Sequence, residues 1–326
     1  MLDLLIIGGG PTGISAGIAA RKAGLNFLIV EKGVLVNSIF HFPTNMTFFS
    51  TSKLLEIGDV PFISHTDKPS RREALEYYRR LVETWKLPVK TYEEVLELNP
   101  QEGNFYDVKT SKATYQAKHV VICTGFYDVP RMLNVSGEGL PKVKHYYDEA
   151  HPYIGKKILV VGAANSGCDV ALELWQKGAE VTMAVRKPTI YEKVKYWIKP
   201  NIENRIKEGS IKAHFNTTVQ EIKLNSVVLK TPDRVIEIEN DFVFAMTGYQ
   251  PNFKLLKQLG IEISNTAEKI PTHHSETLET NLPGVYLAGV VCAGMLTSKL
   301  FIENTREHGD VTVSYTHLTL PTICSV

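Results

Sequence analysis

A glycine-rich turn set between an apolar strand and a helix constrains this chain more than any other feature of its sequence. Asp3-Leu4-Leu5-Ile6-Ile7 is the run expected of a strand buried on both faces of a parallel sheet, and it leads straight into Gly8-Gly9-Gly10-Pro11-Thr12-Gly13. Residues 14–23 then read as a helix of small and apolar side chains. Arg21 and Lys22 fall in its last turn, where cations complement the helix dipole, and Gly24 stops it. A second apolar run, Phe27-Leu28-Ile29-Val30, closes at Glu31 and completes a strand-helix-strand unit with G-x-G-x-x-G spacing.

The same grammar returns 154 residues further on, from Gly8 to Gly162, so internal duplication is the simplest reading. Ile158-Leu159-Val160-Val161 is the strand, Gly162-Ala163-Ala164-Asn165-Ser166-Gly167 the turn, residues 168–177 the helix, Gly178 its stop and residues 181–185 the next strand. One such fingerprint is weak evidence; two complete units at domain spacing are strong. Two further runs, Val120-Val121-Ile122-Cys123-Thr124-Gly125 and Phe242-Val243-Phe244-Ala245-Met246-Thr247-Gly248, read as buried strands ending in Thr-Gly. Glycine there lets backbone approach a bound cofactor.

In each unit the first glycine (Gly8, Gly162) permits the tight turn. The second (Gly10, with the small Ala164 standing in) admits the pyrophosphate, and the third (Gly13, Gly167) lets helix and strand pack closely. The diphosphate then lies against unpaired N–H groups at the helix start. Glu31, 23 residues after Gly8, offers a carboxylate to ribose hydroxyls and repels an extra phosphate, which suits FAD or NAD. Val185-Arg186-Lys187 at the corresponding place carries two cations and no acid, so a 2′-phosphate, and hence NADPH, suits the second unit; a solvated basic pair at a strand end is the plainer alternative. A flavin site beside a nicotinamide site implies hydride transfer from NADPH to FAD, and so an oxidoreductase.

Composition narrows the remainder. The 326 residues suggest about two domains. Lys and Arg number 36 against 35 Asp and Glu, without long runs of like charge, which argues against a nucleic-acid partner. The most apolar stretch, residues 284–296, is thirteen residues long, too short for a membrane span. With no basic leader before the first strand, the expected location is the cytoplasm. Cys123, Cys168, Cys292 and Cys324 are scattered without a Cys-x-x-Cys, which argues against structural disulfides and a zinc site; no metal is expected.

The whole pattern resembles the flavoprotein reductases with two dinucleotide-binding domains, in the thioredoxin-reductase-like layout. More specific segments are Phe42-Pro43-Thr44, Thr47-Phe48-Phe49-Ser50, Ile57-Gly58-Asp59-Val60-Pro61-Phe62, Lys144-His145-Tyr146, Glu149-Ala150-His151-Pro152-Tyr153 and Phe301-Ile302-Glu303-Asn304. These are similar to the bacillithiol-disulfide reductase family, over about residues 3–313. That resemblance implies an α/β fold of two Rossmann-like dinucleotide-binding domains, the NADPH domain (131–250) inserted into a discontinuous FAD domain (1–130 and 251–313), with FAD and NADPH as cofactors. It places FAD at Gly8, Gly10, Pro11, Thr12, Gly13, Glu31, Lys32, Thr47, Phe48, Phe49, Val95, Thr124, Gly125, Gly289 and Val290. It places NADPH at Gly162, Ala164, Asn165, Ser166, Gly167, Arg186, Lys187, Thr247 and Gly248. Ala288-Gly289-Val290 agrees with this branch, since the wider superfamily usually has Asp where Val290 stands.

The implied acceptor is a small-molecule disulfide, bacillithiol disulfide or a close analogue. Some members carry a Cys within the first fingerprint that is proposed to attack the disulfide; here Thr12 occupies that place, and a hydroxyl cannot form a mixed disulfide. Cys292, expected to open a helix whose N-terminus favours thiolate, is the replacement candidate. Cys123 and Cys168 read as structural. His145 is a candidate proton donor to a leaving thiolate, His151 likewise, and His273-His274 reads as a surface loop. The alternatives are a flavin monooxygenase, a reductase of a non-thiol acceptor, or a flavin-binding sensor without turnover. Neither nucleic acid nor membrane is an expected partner, and the quaternary state is open, a homo-oligomer included. Residues 297–313 promise an amphipathic helix; residues 314–326 do not continue it and read as a foreign, poorly ordered extension.

Overall fold

The computed structural model describes residues 1–318, which divide into two compact units. One comprises Met1–His41, Met46–Val129 and the chain from Tyr249 onward; the other comprises Phe42–Asn45 and Pro130–Gly248. The expected FAD-domain segment 1–130 includes Phe42–Asn45. This stretch clusters instead with the second unit, because the Thr44 N–H donates to the Asp148 carbonyl (2.8 Å) and the Asn45 amide to Glu173 (2.9 Å).

In the first unit β1 (Leu2–Ile7) lies at the centre of the sheet, with Leu4, Leu5 and Ile6 fully buried. It pairs in parallel with β2 (Phe27–Val30), Leu4 opposite Phe27, while β2 in turn pairs with β3 (Val89–Lys90). An antiparallel meander, β4 (Val95–Gln101), β5 (Phe105–Thr110) and β6 (Thr114–Ile122), completes the order β3-β2-β1-β6-β5-β4. The long β6 serves several neighbours: residues 114–117 face β5, residues 117–122 run parallel to β1, and residues 120–122 take the strand Val285–Leu287 in parallel. Because β1, β2, β6 and Val285–Leu287 are all parallel, their carboxyl ends share one edge. Gly8, Glu31, Cys123-Thr124-Gly125 and Gly289 therefore emerge together, at the edge where open α/β sheets bind ligands.

The helix α1 (Pro11–Lys22) packs on this sheet through an almost wholly buried run, residues 13–20. At Gly17 the helix passes close over β2: a Cβ there would lie 2.7 Å from Ile29 Cδ1. The helix His308–Leu318 crosses α1 equally closely: a Cβ on Gly309 would lie 2.5 Å from the Ala16 nitrogen, and the Ser15 hydroxyl donates to the Arg306 carbonyl at 2.5 Å.

The continuous helix expected over residues 297–313 is broken. Residues 297–299 form a turn, Ile302–Thr305 is a single helical turn, and the long helix starts only at His308. The cause is local side-chain competition: Asn304 accepts from the Phe301 N–H (2.7 Å) and donates to the Lys299 carbonyl, and Thr305 Oγ1 bonds the Phe301 carbonyl. In turn, residues 314–318 do continue the last helix, and Thr316 is buried. The rest of the expected foreign extension, residues 319–326, lies outside the described residues.

The second unit repeats the plan. The strands Lys212–Phe215, Glu180–Val185, Lys157–Val161, Phe242–Ala245 and Val143–Lys144 form, in that order, an all-parallel sheet. The helix Asn165–Gln176 packs on it through Cys168, Ala171, Leu172 and Leu174. A separate antiparallel sheet, Thr218–Ile222, Ser226–Lys230 and Val235–Glu239, alternates exposed and buried residues. Its Val219, Val227 and Leu229 pack on Leu159, Val161 and Val243.

Candidate functional site

The two glycine turns are superposable in their contacts. In the first, Gly8 has φ +110° and a Cβ on it would lie 2.7 Å from the Cys123 carbonyl oxygen; one on Gly13 would lie 1.9 Å from the Gly8 carbonyl oxygen. In the second, Gly162 has φ +116° and a Cβ on it would lie 2.4 Å from the Met246 carbonyl oxygen, while one on Gly167 would lie 2.4 Å from the Gly162 carbonyl oxygen. Each turn is thus wedged against the residue that precedes a Thr-Gly pair, which explains why Cys123-Thr124-Gly125 and Met246-Thr247-Gly248 echo one another. The middle position differs in kind: a Cβ on Gly10 would meet nothing within 4 Å. That glycine faces open space, into which a pyrophosphate fits.

Both helices that follow start without a side-chain cap and without an acid in the first turn, and α1 has Pro at its first position. Two other helices do carry side-chain caps: Ser70 and Glu73 form a reciprocal capping box at Arg71–Thr84, and the Asn252 side chain accepts from the Leu255 N–H. Leaving the glycine-motif helices uncapped keeps their first N–H groups for an anion.

Around the first motif, Glu31 is buried. Its Oε2 accepts from the Gly9 N–H (2.7 Å) and its Oε1 from the Gly33 N–H (2.8 Å), so it braces the turn as well as facing the ribose position. Each oxygen keeps a second lone pair for a hydroxyl. Burial pushes the Glu31 carboxyl above its ordinary range, against the pull of these two N–H groups. Thr124 Oγ1 is buried with no hydrogen-bond partner among the described residues, which suits a hydroxyl that bonds a ligand. Gly289, φ +89°, lies directly on Thr12: a Cβ there would come within 2.7 Å of Thr12 Oγ1. Gly125 faces Val290. Lys32 is ion-paired to Asp128 at 2.8 Å. Thr47 bridges to Ser70, Phe48 is buried and Phe49 is exposed beneath Lys68. The Val95 side chain is in the core, so only its backbone is available to a cofactor.

In the second unit, Arg186 and Lys187 are exposed and form no ion pair with any described residue, which leaves both charges for an anion. Ser166 is exposed in the first turn of the helix Asn165–Gln176. Asn165 Oδ1 is already engaged by the Lys195 N–H (2.9 Å), and the Tyr191 N–H donates to the Ala163 carbonyl (3.0 Å), so residues 187–199 fold back over the motif. Sequence reasoning missed this segment; the exposed Tyr191 and the Lys193-Val194-Lys195 run were its only signal. Arg131 was missed too. It lies at the Thr247-Gly248 turn, where its carbonyl accepts from Thr247 Oγ1 and its N–H donates to the Gly248 carbonyl (2.9 Å).

The thiol expectation is corrected. Cys292 sits inside the single 3₁₀ turn Val290–Ala293, packed in the core with Leu287 and Val291. Burial pushes its thiol up to about 12, so the helix-terminus effect that would favour thiolate loses to desolvation. Cys168, also buried, is pushed up to about 12, and Cys123 is raised further by the same cause. His145 lies 3.6 Å from Glu138, whose carboxylate holds the Leu133 and Asn134 N–H groups (2.6 and 2.7 Å). His151 is exposed. His273 is half-buried and bridged to Thr280 rather than in an open loop.

Two glycine cradles at the carboxyl ends of parallel strands, one with a buried carboxylate and one with exposed cations at the ribose position, define a dinucleotide-dependent oxidoreductase with two nucleotide-binding units. The family model for pyridine nucleotide-disulphide oxidoreductases matches residues 5–289. The chain is 44% identical over 306 residues to the bacilliredoxin reductase Bdr of Bacillus subtilis, covering 94% of both proteins. Solved structures of the bacillithiol disulfide reductase Bdr superpose with a TM-score of 0.93 for Staphylococcus aureus (41% identity, 96% of this chain and 97% of that one) and 0.94 for Bacillus cereus (40%, 97% and 99%). The chain belongs to the pyridine nucleotide-disulphide oxidoreductase family, in its Bdr branch. It is an enzyme.

Proposed function

We propose that this enzyme uses NADPH and FAD to reduce a low-molecular-weight disulfide, bacillithiol disulfide or a close analogue, in the cytoplasm. FAD takes the first motif and NADPH the second. The observation that carries the assignment is the contrast between the two cradles: Glu31, buried and held by Gly9 and Gly33, disfavours a 2′-phosphate, whereas Arg186 and Lys187 stand unpaired where one would lie. The names of the Bdr relatives point to the disulfide, one through its bacilliredoxin partner and two through bacillithiol disulfide.

Bound FAD supplies a two-electron carrier that accepts a hydride and passes it on. The chain's own residues orient the cofactors, and the described residues offer no thiol poised for a relay. Thr12 replaces a nucleophile with a hydroxyl, and the three described cysteines are buried as neutral thiols. Reduction of the disulfide then needs no covalent protein intermediate: one hydride equivalent and one proton convert RSSR to two RSH. The test is anaerobic reduction by NADPH followed by addition of bacillithiol disulfide. Rapid reoxidation with two thiols formed per NADPH supports the proposal, and a reduced enzyme indifferent to the disulfide refutes it. The lack of a described reactive thiol also favours a second reading, a non-thiol acceptor or oxygen; coupled, peroxide-free oxygen consumption with an organic substrate would establish that one instead.

A further inference from the structure

The turn after Val285–Leu287 is held by a histidine that no sequence motif singled out. The Gly289 N–H donates to His308 Nδ1 at 3.1 Å. A ring nitrogen that accepts carries no proton, so the neutral imidazole bears its proton on Nε2. Burial, aided by nearby His273 and opposed by Glu307, holds the ring below the ordinary histidine range and keeps it neutral. Nε2 makes no hydrogen bond to any described residue.

The ring is also well fixed. Its backbone opens the helix His308–Leu318, whose Gly309 is pressed on Ser15 and Ala16 of α1, and the Gly289 that it holds lies on Thr12. His308 is therefore anchored at the Gly289 turn, which itself lies on Thr12 of the first glycine motif, and its Nε2–H is left to donate.

We infer that His308 donates a hydrogen bond from Nε2 to an oxygen of the dinucleotide bound at the first motif, while Nδ1 orients the Gly289 peptide. The inference rests on the reading that FAD occupies this motif. Two substitutions separate the two ring nitrogens. In His308→Asn the amide oxygen replaces Nδ1 and nothing replaces Nε2; in His308→Gln the longer amide reaches the Nε2 position and Nδ1 is lost.

FAD is titrated into the full-length chain stripped of flavin, with thermal unfolding of each variant recorded beside it. The expected result is an unchanged melting transition and an FAD Kd raised about tenfold in His308→Asn, the loss of one hydrogen bond to a polar ligand. His308→Gln should stay within about threefold of wild type, allowing for the lost Gly289 bond. Wild-type affinity in His308→Asn overturns the inference, whatever His308→Gln does. A wild-type chain that binds no FAD refutes the functional reading instead, so the two failures are distinguishable.

Discussion

Gly10 and Gly13 sit three residues apart in one turn, and opposite outcomes are expected from enlarging them. Gly10 has extended backbone (φ −78°, ψ −178°) open to any residue, and a Cβ there meets nothing within 4 Å. Gly10→Val should therefore change apoprotein stability by less than about 1 kcal/mol, the scale of an N-cap substitution. Its two methyl groups would instead fill the space between a diphosphate and the N–H groups of the first helical turn. Losing one or two hydrogen bonds to a charged ligand, about 1.5–3 kcal/mol each, should weaken FAD binding by a factor on the order of 10 to 1,000. Gly13→Ala should do the reverse. Its Cβ would lie 1.9 Å from the Gly8 carbonyl oxygen, so helix and strand must separate by roughly 1 Å, at a cost of about 3 kcal/mol or more in the empty protein. Urea unfolding of apoprotein and fluorescence titration with FAD measure the two quantities. Gly10→Val binding FAD as wild type, or Gly13→Ala as stable as wild type, would refute the reading of this turn.

Coenzyme choice should respond to charge at the second cradle: Arg186→Glu is expected to lower the ratio of kcat/KM for NADPH over NADH at least tenfold, and an unchanged ratio would show that the 2′-phosphate is bound elsewhere. Because Cys292 is a buried neutral thiol, Cys292→Ala should keep disulfide-dependent turnover within about twofold of wild type, with a large drop restoring it as a catalytic group. The pKa of His308 is lowered in the folded state, so its contribution to stability is complete above the unfolded value near 6.5 and is lost as pH falls below that through the folded value. The urea midpoint of wild type should accordingly fall between pH 7.5 and 5.5 by more than that of His308→Asn; parallel pH profiles would contradict it.

Much of this site was readable without coordinates because it is local. Each glycine turn, its strand and its helix are contiguous, so Gly8, Gly13, Gly162 and Gly167 carry their roles in spacing alone, and Glu31 follows at the end of the next strand. What escaped the sequence depends on partners distant along the chain. His308 reaches Gly289 only because Gly309 seats the last helix on α1, and Asn165 is engaged by Lys195 thirty residues away. Phe42–Asn45 left its expected domain through two hydrogen bonds without an apolar signature. Cys292 misled for a different reason. Its position at a helical turn suggested a reactive thiol, but the depth of the surrounding core, set by Leu287 and Val291, decides its protonation.

The central claim is that electrons enter from NADPH and pass through a flavin held by this chain. The most direct measurement is the visible spectrum of the FAD-loaded protein during anaerobic titration with NADPH. The account predicts a bound flavin whose oxidised band is bleached by about one equivalent of NADPH, in keeping with two-electron transfer. A protein that stays colourless in excess FAD, or a bound flavin that NADPH does not bleach, would contradict it.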